Sequence, residues 1–242
     1  MEQSPKSVHV NVTDDSNVNL TSGEKELLTW HFRLGHFNLR WIRKLTQVRE
    51  GDVEPLLKVK GKTNLASLPL CSACQLGKAH MLSDEATSTK KKAEKDGVVK
   101  TNDVRPGSTI STDQFVSKVK GRLPNTRGKE QDDEKYIGGT IFVDNASGYT
   151  HVECQVSLKA PETIRSKRNF ERILLQHGVD VKSYRGDNGV YRSKDFRDDL
   201  QKLVQTMDYC GVGAHHQNGV SGRAIRTITE SARTMLLYAA IH

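Results

Sequence analysis

The sequence predicts an α/β domain in its second half, preceded by a small helical domain built around a metal ion. From residue 108 onward, β-rich segments alternate with segments of helical periodicity. Residues 21 to 82 instead combine two short helical patterns with a quartet of histidines and cysteines. Residues 83 to 107 contain almost no large apolar residue, so they are predicted to link the two domains.

Composition narrows the class of protein. The chain has 242 residues and a net charge of +8, which favours a polyanionic partner such as nucleic acid. It contains no apolar run long enough to cross a membrane, and its first residues lack the apolar core of a signal peptide. We therefore expect an intracellular protein without a membrane partner, and thiols that are free or metal-bound.

The small domain is predicted to begin after a polar segment, residues 1 to 20, that is expected to be flexible. Thr21 and Glu24 match a capping box in front of apolar residues, so a helix should start there. A second short helix is expected over residues 39 to 48.

Four residues of this domain have metal-ligand spacing. His31 and His36 form an H-x4-H pair, and Cys71 and Cys74 form a C-x2-C pair. Two imidazoles and two thiolates are the donors of a closed tetrahedral zinc site, which would stabilise a domain too small for a strong core. The other two cysteines, Cys154 and Cys210, lie in apolar surroundings and are interpreted as small buried thiols.

The larger domain, residues 108 to 242, has a regular order of predicted elements. Strands are expected at residues 108–116, 137–145, 149–156, 179–184 and 207–212, with helices starting at Pro161, near residue 194 and in the last segment. The last helix has an apolar stripe at Ile225, Ile228, Ala232, Met235, Leu236 and Ala239. This is the order of a ribonuclease-H-like domain, a mixed five-stranded sheet with helices, although pattern alone leaves other α/β folds open.

Two aspartates have the placement that metal-dependent phosphoryl transfer needs. Asp113 lies within the first strand and Asp187 in a turn after the fourth. Carboxylates on a strand, at a strand end and on a facing helix can together hold two hard cations. For either aspartate alone, an ordinary turn or strand-edge role remains the alternative.

Sequence motifs place these residues in a family context. Trp-His-Phe-Arg-Leu-Gly-His, ending at His36, and Cys-x-x-Cys-x-x-Gly-Lys, starting at Cys71, resemble the pre-integrase zinc-binding domain of copia-type retrotransposon polyproteins. Ser-Thr-Asp-Gln-Phe around Asp113, Asp-Asn-Gly at Asp187 and residues 213–228 resemble the integrase of the same elements. The resemblance covers about residues 25 to 242.

The resemblance implies a role for each site residue. Asp113 and Asp187 would be catalytic and would hold Mg²⁺ or Mn²⁺, while zinc would be structural. Asp144 would be a structural position rather than a metal ligand. Gly222 occupies the place of the third catalytic acid, a glutamate, so strand transfer should be strongly reduced or absent. Glu230 lies eight residues further along the helix, about 12 Å away, too far to substitute.

The resemblance also implies partners and a biological setting. Arg223, Arg226 and Arg233, with Asn218, would bind element ends and target DNA, although a solvated helix face is the alternative. A homo-oligomer is expected, acting in the nucleus after import of a cytoplasmic particle. The chain would be a polyprotein fragment with a C-terminally truncated core. A non-catalytic nucleic-acid-binding module or a degenerate relic is the alternative, so enzymatic activity stays open.

Overall fold

The structure is a computed structural model that describes residues 20–48, 53–59, 68, 71–79, 105–123, 135–211 and 218–241. The predicted flexible N-terminal segment, most of the predicted linker and residues 212–217 of the integrase-like motif lie outside these ranges. The chain divides into two compact units, one made of residues 1–89 and 228–242 and the other of residues 90–227. Over the described part of the chain, no helix is both long and apolar enough to cross a membrane.

The first unit contains three short helices. They are α1 (Ser22–Arg33), α2 (Leu39–Leu45) and α3 (Ser72–Gly77). The predicted capping box is confirmed, since the Thr21 hydroxyl accepts a hydrogen bond from the Glu24 backbone and the Glu24 carboxylate accepts one from Thr21. Leu27, Leu28 and Ile42 are almost fully buried and form an apolar core between the helices.

The second unit is built on a five-stranded sheet. Its elements are β1 (Ile110–Gly121), β2 (Tyr136–Asp144), β3 (Thr150–Gln155), α4 (Ala160–Gln176), β4 (Ser183–Gly186), a 3-10 helix (Val190–Arg192), α5 (Lys194–Lys202), β5 (Thr206–Tyr209) and the start of α6 (Gly219–Ile241). The strand order is β3-β2-β1-β4-β5. β1, β2 and β3 pair antiparallel, whereas β4 pairs parallel with β1 and with β5. The predicted ribonuclease-H-like arrangement, with a mixed five-stranded sheet, is confirmed.

One apolar core joins the sheet to α4 and α5. Its buried members are Ile110, Phe142, Phe170, Leu174, Val181, Tyr184, Tyr191, Phe196 and Leu200. Phe142 of β2 and Phe170 of α4 stack with ring centroids 4.8 Å apart, which fixes α4 against the sheet. This core supports β1, which carries Asp113, and β4, which ends just before Asp187.

Details of the structure differ from the expectations: β1 runs to Gly121 rather than to residue 116, and β5 ends at Tyr209 rather than at residue 212. β4 starts at Ser183 rather than at residue 179, because Val181 enters the core from irregular backbone ahead of the ladder. Cys154 is exposed, since its position on β3 faces away from the core, whereas Cys210 is buried as expected. The apolar stripe of α6 is mainly exposed: Met235 is 46% and Leu236 72% accessible.

Candidate metal centres

The predicted histidine–cysteine quartet comes together in the first unit. His31 lies in the last turn of α1, and the chain then reverses through Gly35 and His36, whose φ angles are 66° and 62°. Cys71 caps the N-terminus of α3, which places Cys74 one turn further on. The four candidate ligand atoms lie within 4.8 Å of one another.

Four of the six distances within the quartet are close to the edges of a tetrahedral zinc site, and all six are within 4.8 Å. His36 Nδ1 lies 3.3 Å from His31 Nε2, 3.3 Å from Cys71 Sγ and 3.7 Å from Cys74 Sγ, and His31 Nε2 lies 3.4 Å from Cys74 Sγ. Typical zinc bond lengths give tetrahedral edges of about 3.4 Å between two nitrogens and about 3.6 Å between nitrogen and sulfur. The quartet therefore has room for one ion of the size of zinc at its centre.

The protonation states of these side chains also suit a metal. The Nδ1 of His31 lies 2.7 Å from the carbonyl oxygen of Phe37, so donation to that carbonyl leaves Nε2 for a metal. Burial lowers the pKa of His36 and favours the neutral ring. The pKa of Cys71 is lowered to about 3, chiefly because the Cys74 thiol donates to it, while the same contact raises the pKa of Cys74. A neutral imidazole and a thiolate are the states that zinc binds.

Asp113 lies on β1, and Asp187 directly follows the end of β4, the strand that pairs with β1 in the second unit. β1 and β4 are parallel, with Ile110 opposite Tyr184 and Ser111 opposite Arg185. The same offset, continued past the end of β4, brings Asp187 opposite Asp113. Adjacent strands are about 4.8 Å apart, so we expect the two carboxylates to lie within reach of one cation. Asp113 is half-buried and Asp187 is exposed, leaving the pair open to solvent.

Tyr191 is the third component of this region, and the sequence analysis missed it. Its side chain is 1% exposed, and its hydroxyl lies 3.0 Å from the hydroxyl of Thr112, next to Asp113. Burial raises the pKa of Tyr191, and the negative charges of Asp113 and Asp187 raise it further. The phenol therefore stays neutral. The one feature of the sequence that could have indicated Tyr191 as a site residue is its position four residues after Asp187.

Position 222, the expected place of the third acid, follows a residue that contacts β1 but contributes no side chain. Asn218, just before α6, is 8% exposed, and its amide nitrogen donates to the backbone oxygen of Thr112 at 3.1 Å. Gly222 is one helical turn further on and therefore lies on the same face. A Cβ added at Gly222 would meet no atom within 4 Å. Side chains on a helix lean towards its N-terminus, so a carboxylate here would extend back towards Thr112 and Asp113.

Other acids near the sheet have structural tasks. Both carboxylate oxygens of Asp144 are used: one accepts from the Gly107 backbone at 3.0 Å, the other from the backbone and hydroxyl of Ser147. Burial opposes ionisation of Asp144, but these hydrogen bonds prevail and lower its pKa. Glu153 lies 2.8 Å from His151 on β3. Across the described ranges, the histidine–cysteine quartet is the one cluster of three or more such residues arranged to hold a metal.

The predicted DNA-binding residues lie on two parts of α6. Arg223 and Arg226 are exposed and belong to the second unit. Arg233 belongs to the first unit, where it donates to the backbone oxygen of Gly77 at 3.4 Å. The amide nitrogen of Asn218 is used inside the fold, so a DNA contact by this residue stays a prediction.

Comparison with known proteins supports part of this picture. Residues 6–79, which include the whole quartet, match the GAG-pre-integrase domain family. No curated protein matches the chain. Among solved structures, a chain of the simian T-cell lymphotropic virus intasome in complex with PP2A regulatory subunit B56 gamma is 18% identical, with a TM-score of 0.38 over 50% of this chain. The magnesium-bound HTLV-2 integrase catalytic core domain is 18% identical in its dimeric form (TM-score 0.32, 43% of this chain) and 19% in its trimeric form (TM-score 0.33, 47%). The chain spans only 38%, 60% and 66% of the lengths of these three structures.

Proposed function

We propose that this chain is an integrase-derived protein of a copia-type retrotransposon that binds DNA but lacks one acid of its phosphoryl-transfer site. The observation that carries the proposal is the placement of three positions in the second unit. Asp113 lies on β1, Asp187 follows the end of the paired strand β4, and Gly222 is one turn after the residue that hydrogen-bonds to Thr112. The third position has space for a carboxylate but has no side chain.

The two aspartates fit a single Mg²⁺ or Mn²⁺ ion better than a pair. Mg²⁺ is commonly held by one or two carboxylates together with waters and substrate phosphates. When bound, such an ion would neutralise charge on the transferred phosphate. Without an acid at position 222, a second ion would lose a protein ligand. We therefore expect 3′-end processing and strand transfer to be strongly reduced.

The proposal is tested by restoring the missing acid. We expect the zinc-loaded chain to be inactive or nearly so in strand transfer with Mg²⁺ or Mn²⁺, and Gly222→Glu to gain activity. Gly222→Gln is the matched control, because glutamine has nearly the same size and helix propensity but no charge. Gly222→Glu combined with Asp113→Asn should be inactive, because it again leaves only two acids.

The outcomes of this assay distinguish a fold that can support strand transfer from one that cannot. Activity in Gly222→Glu alone supports an integrase scaffold disabled at one position. Activity in the unmodified chain that Asp113→Asn abolishes would contradict the assigned role of Gly222. Inactivity of all variants would contradict an intact catalytic scaffold and favour a protein that only binds nucleic acid.

A non-catalytic DNA-binding module is the second candidate, favoured by the exposed cations at the start of α6. Arg223 and Arg226 lie in the turns that follow the contact with Thr112. If they contact phosphates, replacing both with glutamine should weaken binding to all DNA sequences and make its salt dependence shallower by about two charges. Unchanged salt dependence would contradict a phosphate-binding role. Self-association and nuclear localisation, which the family resemblance implies, stay predictions.

A further inference from the structure

The C-terminal half of α6 packs directly against the histidine–cysteine quartet in the first unit. The ring of Tyr238 stacks on Phe32, with centroids 4.9 Å apart and planes 19° apart. The same ring meets His36 edge to face, with centroids 4.6 Å apart. A candidate metal ligand near the start of the chain therefore has an aromatic neighbour more than 200 residues further along the sequence.

Two glycines allow this close approach. A Cβ on Gly77 would lie 2.2 Å from the Thr234 hydroxyl oxygen and 2.7 Å from the Thr234 Cα, a distance that no real contact tolerates. A Cβ on Gly35 would lie 3.1 Å from the sulfur of Met235. Thr234 is fully buried as a result. The backbone of α6 thus lies against the last turn of α3, the helix that supplies Cys71 and Cys74.

The Nε2 atom of His36 is buried next to Tyr238. Its Nδ1 faces the sulfurs and His31, so a bound metal would leave the proton on Nε2. His36 is 2% exposed, and its Nε2 has no hydrogen-bond partner among the described residues. In most metal sites, an oxygen accepts the second N–H of a ligating histidine and fixes the ring. His36 meets the rings of Tyr238 and Phe32 edge to face, with centroids 4.6 and 5.4 Å apart, and an aromatic face can accept a weak N–H···π contact.

We propose that Tyr238 is a positioning residue for the metal site and that residues 228–241 complete the zinc-binding module. The metal-binding unit would then extend beyond residues 21 to 82 and require the end of α6. The ring of Tyr238 holds His36 in the orientation that points Nδ1 at the metal, and Thr234 seats the helix on α3. The proposal concerns the metal site alone and is independent of whether the second unit acts on DNA.

Thermodynamic linkage gives the proposal two measurable consequences. Loss of a group that orients a ligating histidine typically reduces metal affinity by about 10- to 100-fold. Because coupling between two sites is reciprocal, zinc must stabilise the docked state of α6 by the same factor by which docking raises zinc affinity. Zinc removal should therefore release residues 228–241 as well as the loop that carries His36.

The first test measures zinc affinity of the full chain by competition with a chelator. We expect Tyr238→Ala to weaken binding about tenfold or more, whereas Tyr238→Phe, which keeps the ring, should stay within about twofold of the unmodified chain. Leu236→Ala is the matched control, because Leu236 is on the same helix and 72% exposed. With Co²⁺ in place of zinc, Tyr238→Ala should alter the visible spectrum of tetrahedral coordination, a change that general loss of stability would not produce in the bound fraction.

A second variant covers the case in which Tyr238→Ala fails to fold. Gly77→Ala keeps every ligand and ring but places a methyl group against Thr234, so it too should lower zinc affinity. Amide hydrogen exchange provides the reciprocal readout: protection of residues 228–241 should fall when zinc is removed. Unchanged zinc affinity in both Tyr238→Ala and Gly77→Ala would overturn the proposal, and so would unchanged protection of α6 without zinc.

Discussion

Lys167→Met should destabilise the second unit by about 3 kcal/mol, the lower end of the range for breaking a buried ion pair. Lys167 on α4 is fully buried, and its ammonium group lies 2.9 Å from Asp199 and 3.0 Å from Glu171. Methionine matches its length and apolar stem but leaves both carboxylates without this cation. The lower end of the range is expected because each carboxylate keeps other donors: Arg168 bonds to Asp199, and Tyr184 bonds to Glu171.

The measurement is urea unfolding followed by far-ultraviolet circular dichroism. Both tryptophans, Trp30 and Trp41, lie in the first unit, so their fluorescence reports that unit separately and serves as an internal control. Asp199→Asn should also destabilise, because it leaves Lys167 buried with one carboxylate fewer. The double variant should lose about 1–3 kcal/mol less than the sum of the two single losses. A loss below about 1 kcal/mol for Lys167→Met, or strict additivity, would refute the assigned pairing.

The same network predicts a pH dependence. Burial opposes ionisation of Asp199, but Lys167 and Arg168 prevail and lower its pKa. A carboxyl group with a lower pKa in the folded state contributes stability above its unfolded pKa of about 3.9 and loses that contribution as pH falls towards the folded pKa. The difference in the free energy of unfolding between the unmodified chain and Asp199→Asn should therefore be full at neutral pH and shrink below about pH 4. A difference that grows on acidification would contradict this sign.

Other perturbations give further predictions. Removing zinc with a chelator should shift the tryptophan fluorescence of the first unit and lower its melting temperature, because metal binding contributes folding free energy there; an unchanged melting curve would argue against a structural metal. Tyr191→Phe should lower the free energy of unfolding in urea by about 1–3 kcal/mol, since it leaves the fully buried Thr112 hydroxyl without its partner. A change near zero would mean that the contact does not stabilise the fold. Asp144→Asn should lower the free energy of unfolding by a similar amount at neutral pH. Because the folded-state pKa of Asp144 is lowered, this difference between the two proteins should shrink below about pH 4.

Local chemistry made much of the fold predictable from the sequence. The capping box at Thr21 and Glu24 specifies the start of α1 without help from tertiary contacts, and the structure contains it. The quartet of His31, His36, Cys71 and Cys74 was predictable because metal ligands must follow a restricted spacing. The strand order could be anticipated because antiparallel hairpins and a parallel crossover have different element patterns.

What the sequence could not reveal depends on contacts between distant residues. The apolar stripe of α6 includes Met235 and Leu236, yet the helix packs through Thr234 and Tyr238 instead. This packing is possible because Gly77 on α3 has no side chain. The periodicity of α6 alone therefore does not predict it. The contact between Tyr191 and Thr112 likewise joins residues 79 positions apart, so no local pattern predicts it.

The most direct test of the central claim is Mn²⁺ binding by the zinc-loaded chain, counted by electron paramagnetic resonance. Asp113, Asp187 and position 222 are proposed to converge on one site. Gly222→Glu should therefore bind Mn²⁺ at least about tenfold more tightly than the unmodified chain. That factor corresponds to about 1.4 kcal/mol of binding free energy. Gly222→Gln should not, and Asp113→Asn should abolish the gain. Equal Mn²⁺ affinity in Gly222→Glu and Gly222→Gln would show that position 222 does not face the two aspartates, which would contradict the account.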